Sequence, residues 1–366
     1  MKICILIPGN EVGGGVKMPV RLASVLAESH DITLMYPLVA HYTLYHKLQK
    51  TSRIRKIAYV AKVLYQQRRQ FFFERDLSHR VRVRKYFLFP NEKVMQGFDV
   101  IIYVSVWQYH EIKSLDLKNV CKIHWSLADY LFSGFFESRI NDILEAYCSG
   151  DIVVAPSELT RLNLERYGVQ VRTVIHGGVD PIFNGQDRRW NFDIPRVLGY
   201  FQPKWWVKGA ATLVQCIQQL RQKYNKIEVS LFGHQNSDIQ KTGSVICDHF
   251  YTGLKSDEVA QLYRAHDIFV YPSYSDGFQS PPLEAMACGC AVVATRVGAV
   301  PEYTRDEQNA LLCDPMDQEG LFLQVERLIL DSNLRMRLSH QAIKDASIWT
   351  WEKCAAMFAK LLSEVA

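Results

Sequence analysis

The chain opens with the stretch KICILIP, residues 2–8, and continues into GNEVGGG, residues 9–15. The first stretch is apolar and is typical of a buried strand, whereas the second is a glycine-rich loop. Apolar residues then recur at helical spacing from Val16 to Ala27, and residues 32–36 form another apolar run. A strand, a glycine loop, a helix and a strand in this order predict the start of a doubly wound parallel sheet.

The same alternation of strands and helices continues along the chain. In the first half, strands are expected at 100–104, 120–124, 152–155 and 171–175, and helices at 139–148 and 158–167. After the turn-rich segment 176–181, strands are expected at 197–200, 227–232, 268–271 and 291–294, and helices at 210–224, 257–265, 281–288 and 351–362. We therefore predict an α/β protein with one domain at 1–180, a second at 181–345 and a C-terminal helix within 346–366. Two such halves imply a ligand cleft between them.

Composition is that of a globular protein. The 366 residues are 48% apolar and 22% charged, which is sufficient for two domains. No apolar run is long enough to span a bilayer, and the apolar N-terminal run is too short for a signal peptide. The nine cysteines lack paired spacing and suggest reduced thiols. These features predict a cytoplasmic protein.

Positive charge is concentrated in residues 47–85. This segment contains 13 Lys and Arg against two acidic residues, so it carries +11 while the rest of the chain carries −6. Three phenylalanines lie at 71–73 among these cations. Cations with embedded aromatic side chains favour contact with an anionic membrane, at the inner face of the cell membrane, over binding of nucleic acid. A solvated helical face is the structural alternative.

The stretch SDGFQSPPLE, residues 275–284, contains the strongest candidate for chemistry. Ser280 is a suitable N-cap and Pro281 a suitable first helical residue, so a helix is expected to begin there. The unpaired amides of that helix end favour an anion. Asp276 and Glu284 flank this turn, so phosphate on the amides and hydroxyl groups on the carboxylates would accommodate a sugar nucleotide.

Two loops that follow strands are candidates for phosphate contact. Gly14 and Gly15 lie after the first strand and permit close approach of a ligand to the backbone, although a plain tight turn is the alternative. The loop lacks G-x-G-x-x-G, which disfavours a nicotinamide dinucleotide. In the second half, Lys204 and Lys208 occupy the corresponding loop, where a lysine can neutralise phosphate. The alternative is that both lysines are ordinary surface charges.

His124 ends a predicted strand on the side where ligands gather in such sheets, and it is a candidate substrate contact. A buried structural histidine is the alternative. The sequence contains no D-x-D, H-x-H or H-E-x-x-H, so we expect no metal and no other cofactor.

With these residues, the chain resembles a GT-B glycosyltransferase, and more narrowly the retaining glycosyltransferase family four. The family pattern E-x7-E is matched here by Asp276 and Glu284, and the following LEAMA, residues 283–287, and VVA, residues 292–294, also match. The segments VGAVPE, residues 297–302, and NALL, residues 309–312, resemble two further family elements. The likeness is specific in the second half and weak between about 40 and 145.

The resemblance implies two Rossmann-like domains facing a central cleft, with the C-terminal helix returning to the first domain. It also implies that Glu284 binds the ribose hydroxyls of a donor and that Lys208 binds its diphosphate. The transferred sugar would be held by Asp276 and by the residues after it: Gly277, Phe278, Gln279 and Ser280. Two departures stand out, because Asp276 is one carbon shorter than the usual Glu, and Tyr200 occupies the place of a phosphate-binding Arg.

The activity that the resemblance implies is retaining transfer of a sugar from a nucleotide-diphosphate sugar to a glycan or lipid-linked acceptor, as in cell-surface polysaccharide or glycolipid synthesis. Asp276, Glu284, Lys208 and His124 are the expected catalytic contacts, and no metal is expected. Two alternatives stay open. One is a nucleotide-sugar 2-epimerase on the same fold, and the other is a non-catalytic binding subunit with a degenerate donor site.

Overall fold

The computed structural model describes residues 1–9, 14–38, 57, 61, 77–127, 131, 139–186, 188, 190, 195–203, 205–224, 226–233 and 246–365. The chain forms two compact units. The first comprises Met1–Pro156, Thr160–His176 and Trp351–Ala366, and the second comprises Ser157–Leu159 and Gly177–Thr350. Apart from the short segment Ser157–Leu159, the chain passes between the units at 176/177 and 350/351, whereas the sequence placed these limits at 180 and 345.

In the first unit, described strands form a parallel sheet in the order β3-β2-β1-β4-β5-β6-β7. These strands are β1 (Lys2–Leu6), β2 (Asp31–Pro37), β3 (Arg82–Tyr86), β4 (Val100–Tyr103), β5 (Cys121–Trp125), β6 (Ile152–Ala155) and β7 (Val171–Val174). The helices are α1 (Gly14–Leu26), α2 (Glu92–Met95), α3 (Val106–Ile112), α4 (Ile140–Tyr147), α5 (Glu158–Arg166) and the C-terminal α12 (Trp351–Val365).

The central strands of this unit are apolar because both faces of the sheet are covered. Residues 3–6 of β1 and all four residues of β4 are buried. Helix α12 packs against α1, and Phe358 of this helix meets the Trp125 ring edge-on at 5.0 Å. The C-terminal helix is therefore part of the first unit's core.

In the second unit, described strands form a parallel sheet in the order β10-β9-β8-β11-β12-β13. They are β8 (Arg196–Tyr200), β9 (Glu228–Gly233), β10 (His249–Thr252), β11 (Ile268–Tyr271), β12 (Ala291–Thr295) and β13 (Leu311–Cys313). A 3₁₀ turn covers Trp206–Lys208, and the helices are α6 (Ala210–Lys223), α7 (Ser256–Ala265), α8 (Ser280–Ala287), α9 (Val300–Tyr303), α10 (Gln318–Leu330) and α11 (Ser332–Ala346).

Both sheets have the doubly wound order, so the predicted pair of Rossmann-like domains is confirmed. In each sheet the order reverses beside the first strand: at β1 and β4 in the first unit, and at β8 and β11 in the second. Ligands of such folds bind at this reversal, beyond the carboxyl ends of the strands. In the second unit this position is occupied by the loops that follow Tyr200 and Tyr271.

Candidate active site

Two loops of the second unit form the candidate site. One runs from β8 to α6 and carries Lys208, and the other runs from β11 to α8 and carries Asp276. Because β8 and β11 are paired neighbours, their loops emerge side by side where the strand order reverses. The fold therefore brings together a lysine and an aspartate that are 68 residues apart in sequence.

The two loops are bonded to each other along their backbones. Val207 accepts hydrogen bonds through its carbonyl oxygen from the Tyr274 amide at 2.6 Å and the Ser273 hydroxyl at 3.0 Å. Gly209 follows with φ +69°, and a Cβ there would lie 1.8 Å from the carbonyl oxygen of Pro272. Only glycine allows this approach, so the turn that carries Lys208 is held in place by the neighbouring loop.

Lys208 and Asp276 form an ion pair through Nζ and Oδ2. The Tyr271 hydroxyl donates to the same Oδ2 at 2.9 Å, and the Gly277 amide donates to Oδ1 at 3.0 Å. The two charged side chains are 23% and 15% exposed, so solvent reaches the pair from one side. Asp276 is thus fully engaged yet accessible, as a ligand-binding carboxylate must be.

The loop after Asp276 is fixed against the start of α9. Gln279 accepts from the Ala299 amide through Oε1 at 2.9 Å, and its carbonyl oxygen accepts from the Tyr303 hydroxyl at 2.9 Å. Phe278 is 6% exposed and lies near Tyr303. The side chains of Phe278 and Gln279 therefore face inward and hold the loop. Only their backbone groups are suited to the donor contacts that the sequence predicted.

Gly298 completes this packing. It has φ +51°, and a Cβ there would lie 2.5 Å from the Gly277 carbonyl oxygen and 2.6 Å from that of Asp276. Any side chain would push the loop that carries Asp276 away from β12. The glycine is consequently a determinant of how the loop that carries Asp276 packs.

Helix α8 begins at Ser280, one residue earlier than predicted, and Gln279 is its N-cap without a side-chain capping bond. The predicted role of Ser280 as N-cap is therefore wrong, because the preceding loop is held by Gln279 instead. Pro281 and Pro282 lack an N–H group, so this helix end offers fewer free amides than the sequence argument assumed.

Glu284 lies in the second turn of α8 and is 7% exposed. Burial, and then the negative charges of Asp276 and Glu284, raise the pKa of the Tyr200 phenol. The negative charges of both carboxylates therefore act on Tyr200, which ends β8 and lies 5.7 Å from the Tyr271 ring. Asp276 contacts Lys208 and Tyr271 directly, and Glu284 lies within electrostatic range of Tyr200. Tyr271 was not predicted from the sequence, because an aromatic residue that ends a buried strand has the same pattern as a core residue.

The remaining predicted contacts fall elsewhere. Gly14 and Gly15 are the first two residues of helix α1 in the first unit, not part of a loop as predicted, and a Cβ at Gly15 would meet no described atom within 4 Å. Lys204 lies outside the described residues. The basic segment 47–85 is described only at 57, 61 and 77–85.

His124 is fully buried, and its ring stacks between Tyr103 at 4.6 Å and Tyr147 at 4.7 Å. Neither ring nitrogen has a hydrogen-bond partner among the described residues. Burial lowers the pKa of His124 to about 3, so the ring is neutral. The prediction of a substrate contact is wrong for this conformation, because no atom of the side chain reaches solvent.

Neither a metal site nor a membrane-spanning helix occurs among the described residues. No group of three or more His, Cys, Asp or Glu side chains in these ranges is placed to hold a metal ion. No helix there has the length and hydropathy needed to cross a bilayer.

The fold and the site define a class, the GT-B proteins with paired Rossmann-like domains. HepE of Anabaena, solved in complex with UDP-glucose, superposes with a TM-score of 0.73 over 100% of both chains at 17% identity, a likeness that concerns the fold alone. Residues 196–331 match the family model for glycosyl transferases group 1. This match is to the family that the sequence predicted, and it covers the part of the chain where the resemblance was specific.

Two curated relatives extend the likeness. A D-inositol 3-phosphate glycosyltransferase of Corynebacterium jeikeium is 28% identical over 217 residues, which are 53% of this chain and 52% of the relative. An O-antigen chain mannosyltransferase B of Escherichia coli is 35% identical over 105 residues, 28% of this chain and 27% of the relative. The matched region of this chain thus spans about half the length of the first relative and less of the second.

Proposed function

We propose that the chain is a retaining, metal-independent hexosyltransferase that moves a sugar from a nucleotide-diphosphate sugar to a glycan or lipid-linked acceptor. The observation that carries this proposal is the Lys208–Asp276 pair where the strand order reverses, followed by Glu284 on the helix that the Asp276 loop enters. Lys208 suits a diphosphate, the partly exposed Asp276 suits a hydroxyl of the sugar, and Glu284 on the adjoining helix suits the ribose hydroxyls. The names of the relatives and the UDP-glucose complex of HepE support the same class of substrate.

In the proposed reaction, the bond between the sugar C1 and the β-phosphate oxygen breaks, and a bond from C1 to the acceptor oxygen forms on the same face. The acceptor proton passes to the leaving phosphate. Lys208 stabilises the charge that develops on the diphosphate. Glu284 accepts from the ribose hydroxyls, and Asp276 accepts from a hydroxyl of the transferred sugar. His124 has no step here, because it is buried.

A turnover assay with a membrane extract as the source of acceptors tests this proposal against its alternatives. The chain is incubated with UDP-glucose, GDP-mannose, dTDP-glucose and ADP-glucose, each with and without extract. Release of nucleoside diphosphate that requires extract supports a transferase. An isomerised sugar nucleotide formed without extract would instead identify a 2-epimerase, and tight binding without turnover would identify a non-catalytic subunit. Lys208→Ala is the matched inactive variant.

We also propose that residues 47–85 hold the protein at the inner face of the cell membrane, close to a lipid-linked acceptor. Among the described residues of this segment, Arg80, Arg82, Arg84 and Lys85 are exposed, and the last three lie on β3 at the edge of the sheet. Each cation near an anionic surface contributes about 1 kcal/mol. Arg84→Glu with Lys85→Glu should release the protein from vesicles that contain phosphatidylserine. Equal sedimentation of variant and wild type with these vesicles would contradict this proposal.

A further inference from the structure

Asp276 is held by three groups that differ in how easily they can leave. The Gly277 amide is fixed by the chain, and the Tyr271 hydroxyl is fixed by a ring that is 2% exposed in the core of the second unit. Lys208 is a flexible side chain with 23% exposure. Oδ2 of Asp276 therefore has one permanent partner, Tyr271, and one that can exchange.

Because Asp276 is shorter than the usual glutamate, its permanent partner Tyr271 has a large effect on where the carboxylate lies. Aspartate has one methylene fewer than the glutamate that the family pattern has at this position, so its carboxylate stays closer to the end of β11. Tyr271 ends β11, and its hydroxyl reaches Oδ2 at 2.9 Å. Lys208 occupies the other approach to Oδ2. A diphosphate that attracts Lys208 would open that approach, and only Tyr271 and the Gly277 amide would then define where the carboxylate lies.

We propose that Tyr271 is a positioning residue that fixes the Asp276 carboxylate for recognition of the transferred sugar. This role rests on the proposed function. It deepens that proposal by naming Tyr271 as the residue that holds the Asp276 carboxylate where it can bind a hydroxyl of the sugar. Burial, and then the Asp276 charge, raise the pKa of Tyr271 well above its ordinary value, so the hydroxyl keeps its proton and donates at any assay pH. The pair Tyr271–Asp276 is then a matched unit, and Asp276 is not a decayed glutamate.

The test compares affinities for a nucleoside diphosphate and for its sugar conjugate, using UDP and UDP-glucose, GDP and GDP-mannose, dTDP and dTDP-glucose, and ADP and ADP-glucose. For the pair that binds wild type, Tyr271→Phe should leave the affinity for the bare diphosphate within about twofold. It should reduce the additional affinity for the sugar conjugate by about tenfold, the weight of one hydrogen bond to a charged group. A merely structural role would weaken both affinities equally.

Tyr263→Phe is the matched control. Tyr263 is also fully buried in this unit, and its hydroxyl has no partner among the described residues. This variant should keep the wild-type ratio of the two affinities. Asp276→Ala should abolish the sugar-dependent ratio, and adding Tyr271→Phe to it should change nothing further, because the two residues act as a unit.

The outcomes distinguish failure of the proposed function from failure of the positioning role of Tyr271. Wild type that binds none of the four nucleotide pairs overturns the proposed function, and the role of Tyr271 with it. Wild type that binds, with Tyr271→Phe retaining the sugar-dependent ratio or acting additively with Asp276→Ala, overturns only the positioning role. Thermal unfolding of each variant identifies loss of fold. If Tyr271→Phe is unfolded, Asp276→Glu, which carries the carboxylate one methylene further from the Tyr271 hydroxyl, gives the decisive comparison, and a retained ratio there overturns the role.

Discussion

At the scale of single residues, the Lys208–Asp276 ion pair leads us to expect that loss of an acidic residue strengthens binding of one ligand. The aspartate neutralises the cation that a diphosphate needs, so removal of its charge should help a ligand that has no sugar. Asp276→Asn should increase affinity for the bare nucleoside diphosphate about fivefold, from about 1 kcal/mol for a partly exposed pair. The measurement is calorimetric titration of wild type and variant, with Lys208→Ala as the opposite case. Weaker binding of the bare diphosphate by Asp276→Asn would contradict the competition.

Gly298 gives a second prediction at this scale. Gly298→Ala combines an unfavourable φ with contacts near 2.5 Å to backbone oxygen atoms of Asp276 and Gly277. We expect a loss of about 2–3 kcal/mol in unfolding free energy and a loss of nucleotide affinity. Gly168→Ala is the matched control, because its φ is +79° with no atom within 4 Å of the added Cβ. Equal losses in the two variants would show that crowding at Gly298 is unimportant.

The sequence predicts some of these residues better than others, and the difference is physical. Asp276, Glu284 and Lys208 are charged residues at turns beside strand and helix ends, where a structural role is uncommon. Tyr271 acts through a hydrogen bond to Asp276 across a tight loop, and Gly298 acts by allowing backbone atoms 21 to 22 residues earlier to pack closely against it. No local pattern in the sequence marks either contact. His124 was misjudged for a related reason. A side chain at the end of a strand can face a ligand or the core. The stacking of His124 between Tyr103 and Tyr147 shows that it faces the core.

At the scale of elements, the best predicted strands are those at the centres of the sheets. The β6 and β11 strands were found at the predicted limits, because a parallel strand covered on both faces is a short continuous apolar run. The strands β3, β10 and β13 were not predicted. They lie at sheet edges. The apolar signal is absent from β3, which has four exposed residues among its five, whereas β13 is buried and apolar but only three residues long.

The β5 strand offers a prediction through His124. Its pKa is about 3 in the folded chain, below the ordinary value of 6.5, so the unfolded state binds the proton first as pH falls. The stability from a neutral His124 is therefore complete above pH 6.5 and is lost toward pH 3, at about 1.4 kcal/mol per pH unit. His124→Phe should remove this contribution.

The check is urea unfolding of wild type and His124→Phe between pH 7.5 and 4.5. At pH 7.5 the histidine is neutral in both states, so the difference between the proteins there reports packing alone. The variant should gain stability relative to wild type as pH falls. His266 in the second unit, with a pKa lowered to about 4, remains in both proteins and leaves a common residual slope. Parallel pH profiles would contradict the burial of a neutral His124.

At the scale of the whole molecule, the repeated doubly wound pattern was visible in the sequence because each half alternates strands and helices. The limits of the units were less visible, since they depend on which residues pack together. The Val179 amide donates to the Trp349 carbonyl oxygen at 2.9 Å, which joins the segments near both crossings within the second unit. No local propensity marks such a contact, and the sequence-based limits fell four to five residues away.

The central claim is that the second unit binds a nucleotide sugar through Glu284 as well as Lys208 and Asp276. Its most direct test is thermal unfolding of wild type and Glu284→Ala against UDP, GDP, dTDP and ADP and their hexose conjugates. At 100 times the dissociation constant, a ligand stabilises the folded chain by about 2.7 kcal/mol. We predict that one base raises the wild-type midpoint and that Glu284→Ala binds about 10–100-fold more weakly, through lost hydrogen bonds to the ribose. No shift with any of the eight ligands, or equal shifts in both proteins, would contradict the claim.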